Sequence, residues 1–171
     1  MKKSTRVVAN AAMIAALYVI LTEISTLMGL SSGVIQIRFS EALTVLPYFT
    51  PAAVPGLFIG CIISNLLAGG MLLDIVFGSI ATLIGAYCTY LFRKKSMYFA
   101  PVFPILSNTL MIPWILKLVY GFEGTVLYFS ATVFAGEFIS CGIFGISLML
   151  LLKKRKELLR FVIGENSTYN R

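Results

Sequence analysis

The chain contains no histidine. That absence removes the commonest general base near neutral pH and a frequent transition-metal ligand. Cysteine is scarce too. Cys61, Cys88 and Cys141 stand singly along the chain, without the paired spacing of a zinc site and without a histidine to activate a thiol, so each reads as a small packing residue. No Gly-x-x-x-x-Gly-Lys-Ser/Thr phosphate loop occurs, and no ATP hydrolysis of that type is expected; without a histidine to activate a serine, no acyl transfer by a serine triad is expected either. No cofactor, metal site, nucleic-acid partner or enzymatic activity is expected. Charge is the last thing in short supply: 12% of the residues are charged against 58% hydrophobic. Soluble domains are about 45–50% apolar, so this composition, with a mean hydropathy of +0.92, places the chain in a lipid bilayer.

The length of 171 residues then divides into apolar stretches. A helix needs about 20 apolar residues to cross a hydrocarbon core of about 30 Å, and Val7 to Met28, Ile75 to Phe92, Tyr98 to Leu118 and Val126 to Leu152 qualify. The first of these is too long for the hydrophobic part of a cleavable signal and is expected to be the first span. Arg38 to Gly70 is too long for one crossing and short for two, and Pro47, Pro51 and Pro55 interrupt it where one helix should stop and another begin. Three basic clusters, Lys2/Lys3/Arg6, Arg93/Lys94/Lys95 and Lys153/Lys154/Arg155/Lys156, belong in the cytoplasm by the positive-inside rule. An even number of crossings must separate the first two clusters, which places two in Arg38 to Gly70. The expected fold is an all-α integral membrane protein of six transmembrane helices with both termini cytoplasmic: residues 1–152 form the membrane domain and 153–171 a short basic tail.

This topology leaves Arg38 and Lys117 as the only cations of the outer half, facing Glu23, Glu41, Asp74, Glu123 and Glu137. The acidic surplus suits a cationic ligand, although depletion of Lys and Arg from outer loops gives the same sign. Arg38 and Glu41, just ahead of the uncharged run from Ala42 to Leu73, carry the clearest signal. An intramembrane charge costs roughly 2.5–3.5 kcal/mol on insertion scales and is a functional-site hypothesis by default. Their i,i+3 spacing also suits a structural ion pair at a helix end. Glu137 stands about 16 Å along the last span, with no loop to hide in. Along the first span, Ala11, Ala12, Ala15 and Ala16 form a small-residue stripe that lets another helix approach closely, within this chain or from a partner. Gly56, Gly60 and Ser64 form a second stripe, expected to pack internally.

A basic start, an alanine-striped first helix, six spans and no ATPase motif resemble the substrate-binding S component of an energy-coupling factor (ECF) vitamin transporter. QIRFSEALTVLPYFTPAAVPGLFIGCIISNLL from Gln36 to Leu67, LDIVFGSIATLIGAY from Leu73 to Tyr87, Ser107-Asn108 and Ala135-Gly136-Glu137 are similar, within that group, to the QueT family of queuosine-precursor importers. The resemblance implies a bacterial cell-membrane protein that captures substrate near its outer face. A separate transmembrane coupling subunit and two cytosolic ATPases supply the energy, and the alanine stripe Ala11, Ala12, Ala15 and Ala16 docks on the coupling subunit.

The implied ligand is 7-aminomethyl-7-deazaguanine or queuine, and its chemistry tests the residues. A guanine-like edge presents adjacent N–H groups to a carboxylate and a carbonyl to an amide donor; Glu137 and Asn108 supply those types. Glu41 or Asp74 would meet a cationic arm, with Arg38 organising Glu41 or donating to the base. Asp74 alternatively caps its helix, and Asn108 and Asn65 alternatively bridge helices. Trp114 and Tyr120 offer rings for stacking on a purine-like base or anchor the span at the membrane interface. Competing functions are a stand-alone proton-coupled transporter of a cationic or purine-like solute, with Glu41 and Glu137 as relays, or an S component for another vitamin.

Overall fold

The computed structural model describes residues 3–31 and 35–163, and the described residues contain helices and no strand. Lys2 of the first basic cluster and residues 164–171 of the tail lie outside the described residues. The elements are α1 (Lys3–Leu27), a 3-10 helix (Phe39–Tyr48), α2 (Ala53–Leu67), α3 (Leu72–Leu91), a 3-10 turn (Met97–Phe99), α4 (Val102–Leu118), α5 (Val126–Glu137), a π-helical segment (Phe138–Phe144), α6 (Gly145–Lys154) and α7 (Lys156–Ile163). Four helical stretches are long and apolar enough to cross a membrane: Thr5–Leu27, Leu72–Leu91, Met97–Leu118 and Val126–Lys154. They coincide with the four spans expected from hydropathy. Their outward sides carry Val8, Leu27, Leu72, Leu110 and Leu127, each largely exposed, as a lipid-facing surface requires.

The ambiguous stretch from Arg38 to Gly70 resolves differently. Its first half is a ten-residue 3-10 helix and its second a fifteen-residue α-helix, about 20 Å and about 22 Å long at their respective rises per residue. Both are shorter than a hydrocarbon core. The 3-10 helix is instead central: every residue from Ser40 to Pro47 is buried. Its sequence explains this, because Ala42, Leu43, Val45, Leu46 and Pro47 are apolar on all sides of the helix. Around it gather Ile14 and Tyr18 of α1, Leu57 and Cys61 of α2, Ala86 of α3 and Met149 and Leu152 of α6. Pro47 falls in the last turn of the 3-10 helix, and Pro55 in the first turn of α2, where a missing N–H costs nothing. The prolines therefore break the helices where the sequence places the breaks.

The chain doubles back through this centre. The 3-10 helix starts beside Ser25 of α1, whose Oγ accepts from the Phe39 N–H at 2.8 Å. It ends at Tyr48, whose ring centroid lies 5.7 Å from Lys153 Nζ. Lys153 Nζ also lies 3.2 Å from Met97 Sδ, so the basic residues after α3 and at the end of α6 share one end of the bundle.

α1 and α2 meet through two small-residue stripes. A methyl on Gly56 would come 2.7 Å from the Ala11 carbonyl oxygen, and one on Gly60 would come 2.8 Å from Tyr18 Cβ and 3.0 Å from the Ala15 carbonyl oxygen. Only glycine permits so close a helix contact. The alanine stripe is thereby split: Ala15 is buried against α2 and Ala11 half-buried, whereas Ala12 and Ala16 face outward. The Gly56/Gly60 stripe is internal, as expected.

Candidate functional site

A cavity of about 380 Å³ opens at the end of the bundle away from Lys153 and Met97. The ends of α1 (Thr22, Thr26) and α2 (Asn65, Ala68) contribute to its wall. So do the first half and middle of α3 (Asp74, Gly78, Thr82), α4 (Asn108, Ile112, Leu116) and α5 (Val133, Glu137), while Gln36, Arg38 and Glu41 enter from the segment before and into the 3-10 helix. Its size is that of a small-molecule site.

Of the eight residues expected to bind substrate, seven line this cavity: Glu137, Asn108, Glu41, Arg38, Asp74, Tyr120 and Asn65. Trp114 does not. It is 55% exposed on the outer side of α4, the position of an interface anchor, because the helix turns its Ile112 and Leu116 face inward.

The polar contacts redistribute the roles. Arg38 and Glu41 make hydrogen bonds to other residues, not to each other. Arg38 Nη1 donates to Asn65 Oδ1 at 3.2 Å, and its backbone N–H donates to Ser140 Oγ at 3.2 Å. Glu41 accepts the Tyr18 hydroxyl on Oε1. Arg38 stands at the N-cap in extended conformation, outside the 3-10 helix, and reaches α2, while Glu41 in the first turn reaches α1, so their i,i+3 spacing does not produce a hydrogen-bonded pair. Glu137 is hydrogen-bonded on both oxygens: Asn108 Nδ2 donates to Oε1 at 2.8 Å and the Cys141 thiol lies 3.1 Å from Oε2. Asn108 thus bridges helices and lines the cavity at once. Asp74 is not the cap of α3, a position held by Met71. From the first turn it accepts the Tyr120 hydroxyl on Oδ2 at 2.8 Å, and the Met71 N–H reaches the same hydroxyl at 3.4 Å. Tyr120 stacks on Phe122, ring centroids 5.8 Å apart, and both rings line the cavity mouth.

Tyr120 stands beyond the apolar part of α4. Its phenol is pushed above its ordinary range by desolvation, and by the bond to Asp74, so it remains a donor through the physiological range.

Several participants carried no sequence signal. Tyr18 is fully buried within the alanine-striped helix and meets Glu41 from twenty-three positions away. Cys141, expected to be a packing residue, stands one helical turn beyond Glu137. The π-helical segment from Phe138 to Phe144 turns both Ser140 and Cys141 toward the 3-10 helix; such segments recur at functional sites. Gly136 lets this wall close in, since a methyl there would collide with the Gln36 carbonyl. Among the described residues, Glu41, Glu137 and Cys141 are the one group of three potential metal ligands, with ligand atoms within 4.8 Å of one another.

The cavity presents carboxylate acceptors, guanidinium and amide donors, and aromatic faces at its mouth, the complement of a small, planar, polar heterocycle. No solved structure matches the chain. The chain is 34% identical to the "Queuosine precursor transporter QueT" of Lactococcus lactis subsp. cremoris (strain MG1363), over 94% of this chain and 100% of that protein. The family model described as QueT transporter matches residues 8–154, a range that holds the whole cavity, and the chain belongs to the QueT transporter family.

Proposed function

We propose that the chain is the substrate-binding membrane subunit of an ECF-type ABC transporter of the bacterial cell membrane, taking up 7-aminomethyl-7-deazaguanine or queuine. The observation that carries this reading is the cavity itself: a largely apolar chamber into which carboxylate, amide and guanidinium groups converge, with an aromatic mouth, at the end of the bundle away from Lys153. Basic residues mark a cytoplasmic end, so the cavity opens outward. In this reading the 3-10 helix and α2 act as the second and third of six crossings. Their reversal at Tyr48 and return to Asn65 support an even number of passes before Arg93. Short crossings are accommodated by local thinning of the bilayer at modest cost.

Binding proceeds by capture from outside. The base lies across Tyr120 and Phe122, Asn108 and Arg38 donate to its carbonyl side, and the carboxylates take its N–H groups and cationic arm. Glu137 is held in place for this by Asn108 and Cys141, and Arg38 by Asn65. Ala12 and Ala16, the outward pair of the stripe, offer the smooth face on which the transmembrane coupling subunit docks, while two cytosolic ATPases drive uptake.

The test is uptake of labelled 7-aminomethyl-7-deazaguanine by vesicles holding this chain with and without the coupling subunit and ATPases. Uptake is expected only with all of them and ATP, and Ala16→Leu is expected to abolish it while purified protein still binds ligand. Uptake without the ATPases that stops on addition of a proton uncoupler would replace this account with a proton-coupled carrier.

A further inference from the structure

Among the carboxylates lining the cavity, Glu41 has an oxygen that is both buried and without a partner. The residue is 3% exposed, its Oε1 is taken by Tyr18, and its Oε2 has no hydrogen-bond partner and no access to the surface. An unsatisfied carboxylate oxygen in a water-poor interior is costly. Glu137 has no such vacancy, because Asn108 and Cys141 occupy both of its oxygens. Asp74 shares its charge with Tyr120 at the mouth. Arg38, the one cation lining the cavity, is directed to Asn65. The chamber therefore combines three carboxylates with a single guanidinium and leaves its open acceptor at the base of the 3-10 helix.

Resting on the function proposed above, we propose that Glu41 Oε2 receives a positively charged arm of the ligand, so that the site selects precursors bearing a primary ammonium at the 7-position. An ammonium supplies the missing donor and offsets the acidic surplus, and a charge-assisted hydrogen bond is roughly twice as strong as a neutral one. Glu137 lines the same space, its ligand oxygen within 4.8 Å of that of Glu41, but with Asn108 and Cys141 on its two oxygens it serves the ring common to all precursors, not the arm. The ring is thereby oriented with its arm toward Glu41 and its face across Tyr120 and Phe122.

The test compares equilibrium binding of 7-aminomethyl-7-deazaguanine with that of its uncharged isostere, 7-hydroxymethyl-7-deazaguanine, in EDTA-containing buffer. The wild-type protein is expected to favour the amine by about tenfold or more. Glu41→Gln retains the side chain's size and its acceptor for Tyr18, and is expected to erase the preference by weakening the amine alone, whereas Glu137→Gln is expected to weaken both ligands alike. Equal wild-type affinities would overturn the proposal and leave the function standing, and this arm needs no variant to fold. Preference retained in Glu41→Gln, or lost only in Glu137→Gln, would also overturn it. So would amine binding that depends on added Zn²⁺, since a metal ion would then occupy the three-ligand group. Failure of the wild type to bind either compound would overturn the proposed function as well.

Discussion

The contact between α1 and α2 and the cavity end of the same two helices are built on opposite rules. Along the contact, Gly56 and Gly60 lie against the backbone of Ala11 and Ala15, and the fit is one of volume. At the cavity end, α1 supplies Tyr18, Thr22 and Ser25 and α2 supplies Asn65, and the fit is one of donors and acceptors. Association of helices in lipid draws no hydrophobic driving force, so close packing and interhelical hydrogen bonds hold the bundle. The difference teaches that the two ends fail differently: the first through overpacking, the second through an orphaned polar atom.

The largest expected effect comes from filling the dry contact. Gly56→Leu drives a side chain into the Ala11 backbone and is expected to destabilise by about 3 kcal/mol or more, seen as a lowered unfolding temperature in detergent. Any protein that remains folded should bind ligand normally, and a selective loss of binding would break the distinction between the two ends. Tyr18→Phe tests the wet end. It leaves the buried Glu41 carboxylate without its donor, at a cost of about 1–3 kcal/mol, and ligand should restore part of the stability by supplying a donor to Glu41. No gain on ligand addition beyond the wild type's would place the Glu41 deficit outside the binding space. The smallest effect is expected for Trp114→Leu, within about 0.5 kcal/mol in stability and without change in affinity, because the side chain is outside the cavity. A loss of binding there would restore it as a stacking residue.

Much of this is legible in the sequence. The four long spans follow from runs of apolar residues, and the depth of Glu137 and Asn108 in those runs matches their place in the cavity wall. What escaped the sequence depended on partners distant along the chain. Hydropathy registers that Ala42 to Pro47 is apolar, but not that the segment is enclosed on every side by α1, α2, α3 and α6. The small-residue stripe signals a smooth surface, while its division into an inward Ala11/Ala15 face and an outward Ala12/Ala16 face depends on where Gly56 and Gly60 arrive. The Tyr18–Glu41 bond joins residues that share no motif. A ring near a helix end, as at Trp114, suits both stacking and anchoring, and the helix's rotation, which the sequence does not give, keeps it out of the cavity wall.

The central claim, that the chamber is a selective binding site for a deazaguanine, is met most directly by equilibrium dialysis of labelled 7-aminomethyl-7-deazaguanine against the purified chain. The account predicts saturable binding at one site per chain, unaffected by excess riboflavin and lost in Asn108→Leu, which removes the donor holding Glu137. Absence of saturable binding, or displacement by riboflavin as readily as by unlabelled ligand, would contradict it.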